Sequence, residues 1–118
     1  MLTSLLMMAL AQTGAAPATA VQAEEPEIIV IGRRARAVRW DWRVDKAGRL
    51  TKCKITKSSG DREIDQIGCD ATRKCAAQGI RQAKAMKACI VPVRRELIAA
   101  LADARAERRA REAGNAQD

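Results

Sequence analysis

The chain has 118 residues and a formal net charge of +8, from 22 Lys and Arg against 14 Asp and Glu. It contains no histidine, phenylalanine or tyrosine, so its aromatic bulk is Trp40 and Trp42 alone. The commonest general base is therefore excluded, and so is an aromatic stacking platform for single-stranded nucleic acid.

Residues 1–23 carry no charged side chain. The run "LTSLLMMALA" is about half of the ~20 apolar residues a membrane-spanning helix needs. Small residues follow it, with small-x-small sites at Ala18/Ala20 and Val21/Ala23. This is the pattern of a secretory signal peptide cleaved after Ala20 or Ala23. All the charged residues lie beyond it, and the 95 residues that remain make one domain.

The next stretch, "EEPEIIVIGRR", puts three acids around a proline and then an aliphatic run at Ile28, Ile29, Val30 and Ile31. We read 24–37 as an extended linker with a strand at Glu27–Ile31. From Val38, apolar Val38, Trp40, Trp42 and Val44 alternate with Arg39, Asp41, Arg43 and Asp45, the period of a half-buried strand. "DKAGR" supplies a glycine turn. A second strand over Leu50–Lys57 places Cys53 and Ile55 on one face.

"SSG" ends that strand, and a helix capped by Asp61 follows, with Glu63 and Asp65 in its first turns. Ile64, Ile67, Gly68, Ala71 and Cys75 share one face of it, and Gly79 is a natural stop. Gly68 implies a close approach of helix to sheet. "ACIVPV" is expected as an edge strand carrying Pro92, and the stretch before it as possible helix. From Arg94 a C-terminal helix turns Leu97, Ile98, Leu101 and Ala104 inward and frays beyond them. The plan is a domain over 38–93 and a helix with a frayed tail over 94–118.

Cys53, Cys69, Cys75 and Cys89 are separated by 15, 5 and 13 residues, and none forms a C-x-x-C pair. Short chelating loops are missing, so no metal or other cofactor is expected. An even count in an exported chain implies two disulfides. Cys69 and Cys75 lie about 9 Å apart along one helix and point in different directions, so they do not pair. Two connectivities remain: Cys53–Cys69 with Cys75–Cys89, or Cys53–Cys75 with Cys69–Cys89. The central place of Cys75 on the apolar face favours the second.

Val44, Asp45, Gly48 and Arg49 at the turn, Ser58, Ser59 and Gly60 after the second strand, and Ile64 and Asp65 in the helix match a known pattern in order and spacing. The stretch from about 38 to 75 resembles the C-terminal domain of TonB-like energy transducers. The resemblance implies an α+β fold with a small antiparallel β-β-α-β sheet, the C-terminal helix being extra, and a location in the periplasm. It also implies the first disulfide pairing, since some members place cysteines where Cys53 and Cys69 stand. The family's third strand would correspond to Ile90–Pro92, about ten residues late. No long apolar anchor or proline-rich spacer occurs in the sequence, so the expectation is the receptor-reading end of a transducer without its motor connection.

Such domains pair an extended receptor segment with a sheet edge. Glu27, Ile28, Ile29, Val30 and Ile31 resemble such a segment. Three roles are open for it: covering the edge of its own domain or of a neighbouring copy, imitating a receptor before a transducer, or forming one more strand of the sheet. The expected function is non-enzymatic protein binding in outer-membrane receptor and transport systems, with a receptor, a TonB-type transducer or a second copy as partner. No nucleic acid and no small-molecule substrate are expected. The alternative is a small basic, disulfide-bonded envelope protein that binds anionic lipid, polysaccharide or an acidic partner.

Overall fold

A computed structural model describes residues 25–117. The expected signal peptide lies outside the described residues. Those described form helix α1 (Glu27–Ala37), strands β1 (Arg39–Val44) and β2 (Leu50–Lys57), and helices α2 (Arg62–Ala77) and α3 (Ala83–Gln117). The fold is α+β, with β1 and β2 paired as a two-stranded antiparallel sheet.

The hairpin follows from its sequence. Trp40 faces Ile55 and Trp42 faces Cys53 across the ladder, so the apolar positions of both strands share one face. At the turn, Asp45 Oδ1 accepts from the amides of Ala47 and Arg49, each at 2.9 Å. Gly48 adopts φ +83°, which a side chain would resist.

α2 begins at Asp61, whose carboxylate accepts from the amides of Glu63 (3.0 Å) and Ile64 (3.3 Å). It ends in a Schellman motif: the Gly79 amide donates to Ala76 O at 2.9 Å and the Ile80 amide to Cys75 O at 3.4 Å. The expected apolar face is the buried one. Gly68 sits directly under Trp40, where an added Cβ would fall 2.7 Å from the indole ring. That indole donates to Thr72 Oγ1 at 3.0 Å, and Thr72 donates in turn to Gly68 O at 2.8 Å. Both polar groups of this buried contact are thereby satisfied.

Two corrections concern the flanking segments. The stretch expected as a strand at Glu27–Ile31 is the first half of α1 and does not join the sheet. Its β-branched residues favour a strand locally, but Ile31 and Ala35, one helical turn apart, are buried against Ile64, Ile67 and Ile98. Burial on one stripe outweighs a propensity difference of a few tenths of a kcal/mol per residue.

The strand expected at "ACIVPV" is also helical, and α3 is continuous through Pro92. Met86, Ile90, Val93 and Leu97 recur at helical spacing and pack on Ala71, Cys75 and Ala76 of α2. Pro92 removes one helical hydrogen bond, to Ala88 O. The apolar stripe and a disulfide offset that loss.

The disulfides are Cys53–Cys69, from β2 to α2, and Cys75–Cys89, from α2 to α3. This is the pairing the TonB-like resemblance implied, not the one favoured by the central place of Cys75. Cys75 meets Cys89 because the segment expected as a third strand belongs to α3, which packs on α2.

Candidate functional site

Three constellations bear on function. The first is the corner between β2 and α2. Ser58 Oγ donates to Asp65 Oδ2 and accepts from the Gly60 amide at 2.8 Å. Asp65 Oδ1 accepts from the amide and the hydroxyl of Ser59, both at 2.7 Å. Arg34 of α1 donates to Ser59 O at 2.9 Å, and Gly60 takes φ +89°. Burial opposes ionisation of Asp65, but the Ser58 and Ser59 hydrogen bonds and the Arg34 charge hold its carboxyl below the ordinary range. Both hydroxyls of the Ser-Ser-Gly motif are thus occupied in shaping the corner.

The second is a charged clamp at the N-termini of α1 and α2. Arg105 of α3, 17% exposed, meets Asp61 at 2.7 Å, Glu63 at 3.3 Å and Glu27 at 3.8 Å. Arg108 reaches Glu63 at 3.0 Å, and Arg109 pairs with Glu27. Burial disfavours the Asp61 carboxylate, yet Arg105 and the first-turn amides keep its pKa lowered; Arg108 does the same for Glu63. Glu27 is therefore engaged inside the fold.

The third is a groove of about 720 Å³ beside β1. Val38, Trp40 and Trp42 form one wall, and Met86, Ile90 and Val91 of α3 the other. Arg36, Arg39, Lys87 and Arg94 surround it, and no carboxylate lines it. No β2 residue contributes, which places the groove on the outer side of β1. That side has no strand partner among the described residues. Its size and apolar lining are those of a ligand site, and Val91 is 47% exposed within it. Two smaller clefts, about 320 and 300 Å³, lie along α2 and at the clamp.

The expected site residues therefore separate into distinct roles. Val44, Asp45, Gly48, Ser58, Ser59, Gly60, Ile64 and Asp65 build the turn, the corner and the core. Cys53 and Cys69 tie β2 to α2, and Cys75 and Cys89 tie α2 to α3. Of the segment Glu27–Ile31, Ile31 is in the core, while Ile28 and Ile29 are 42% and 50% exposed. The groove itself was missed. Its signal was the helical recurrence of Met86, Ile90 and Val93, obscured by the strand-like "ACIVPV". Among the described residues no cluster of His, Cys, Asp and Glu could hold a metal ion. In comparisons with known proteins, no family model, no curated protein and no solved structure matches the chain.

Proposed function

We propose that this chain is a non-enzymatic binding module that takes an extended segment of a partner protein against the outer edge of β1. The observation that carries the reading is that this edge has no strand partner among the described residues and borders the apolar groove. An added strand would gain main-chain hydrogen bonds from β1, and every second side chain would enter the groove. No residue of β2 lines the groove, so an added strand at the outer edge of β2 would lack that apolar wall.

The resemblance to TonB-like domains supports a periplasmic setting, with an outer-membrane receptor or a TonB-type transducer as partner. In this proposal α3 stands in for the third strand of that family, and α1 is part of the domain rather than the segment being read.

The test is a titration of the isotope-labelled, oxidised full chain with a short blocked peptide of alternating valine and threonine. The control is the same peptide N-methylated along one backbone edge. The expected result is saturable amide shifts over Val38–Val44, with slowed hydrogen exchange, lost with the control. Equal binding of the methylated peptide, or shifts confined elsewhere, would overturn strand addition.

A further inference from the structure

The four cations around the groove have no carboxylate partner among the described residues, whereas Arg105, Arg108 and Arg109 of α3 pair with acids. Arg94 of α3 and Arg36 at the end of α1 both line the groove, Arg94 half-buried and Arg36 exposed. Burial, and after it the nearby Arg36 charge, lowers the pKa of Arg94. A half-buried guanidinium beside a second positive charge is costly without a counter-ion. The folded chain supplies acids for its clamp but none here.

We propose that Arg36 and Arg94 form an anion seat, and that the segment bound at β1 is an acidic peptide whose side-chain carboxylate is received between the two guanidiniums. This rests on the strand-binding reading above and adds the chemistry of the partner. Trp40, Trp42, Met86 and Ile90 take its apolar side chains, and the seat fixes its register. A planar guanidinium pair suits a carboxylate because each can donate two parallel hydrogen bonds. A strand slipped by one residue would turn its acid away from the seat.

The experiment compares the valine–threonine peptide carrying one glutamate with its glutamine counterpart, against the full oxidised chain and against R36Q/R94Q. Decanoate serves as a third probe. The glutamate peptide binds about tenfold tighter than the glutamine peptide, the scale of a charge-assisted hydrogen bond in a half-buried setting. That advantage disappears in R36Q/R94Q. Equal binding of the two peptides at β1 would remove the anion seat and leave strand addition standing. An advantage that persists in the double variant would assign it to the general basic surface and overturn the seat. Binding of neither peptide would overturn both proposals, and binding of decanoate alone would do so in favour of a single-chain amphiphile. Retained binding of the glutamine peptide by R36Q/R94Q shows that the double variant is folded, so loss of the glutamate advantage there reports on the seat.

Discussion

Gly68 costs about 1 kcal/mol relative to alanine in a helix interior, and the ring of Trp40 accounts for its presence. An alanine methyl would meet the indole at 2.7 Å, and the ring cannot retreat without breaking its bond to Thr72. Overpacking of this kind costs typically ~1–3 kcal/mol, which exceeds the propensity gained. Gly68→Ala is therefore expected to lower stability by about 1–2 kcal/mol, read from the urea midpoint. A stabilised variant would show that the indole moves freely. The sequence already indicated a close approach at Gly68. It did not identify Trp40 as the approaching group, because that depends on how far along the helix the hairpin lies. The Ser-Ser-Gly corner was legible at the same scale, since its bonds are formed between neighbours in the chain.

At the scale of elements, α1 and α3 depart from local preference for the same reason. Each has a short β-like run within a longer stripe of helical spacing, and packing selects the longer pattern. Two forces hold α1: burial of Ile31 and Ala35, and the ion pairs from Glu27 to Arg105 and Arg109. Their magnitudes differ. Truncating a fully buried isoleucine costs about 2–5 kcal/mol, while a partly exposed ion pair contributes on the order of 1 kcal/mol. Ile31→Ala should accordingly destabilise the chain several times more than Glu27→Gln in chemical denaturation. The reverse order would make the clamp the main anchor of α1.

For the whole molecule, the carboxylates held below their ordinary range are Asp45 at the hairpin turn and three at the start of α2. Asp61, Glu63 and Asp65 have folded pKa values below the ordinary 3.8 and 4.5. The unfolded chain therefore takes up protons first as the pH falls, so the folded state loses stability from about pH 4.5 downward. The contribution is fully present above that range. The melting temperature is expected to be level near neutrality and to drop through this window. Asp65→Asn should start lower and fall less steeply, and an unchanged slope would show that Asp65 is not among the groups responsible. The two disulfides, spanning 16 and 14 residues, each add about 3 kcal/mol by the chain-entropy estimate. A core of Ile, Val, Ala and Met this small depends on that contribution.

The sequence by itself determined the hairpin, its turn, the capped helix with its buried face, and the presence of two disulfides. These rest on neighbours in the chain: alternation, a glycine at positive φ, an acid at a helix start, an even count of thiols. Only the tertiary structure decided that Glu27–Ile31 is helical, that α3 replaces a third strand, and that Cys75 pairs with Cys89. It also set three arginines of α3 against the acids at two helix starts while leaving Arg36 and Arg94 facing the groove. Those outcomes depend on which apolar stripes bury together and which charges they bring with them, and such contacts join residues 14 to 82 positions apart.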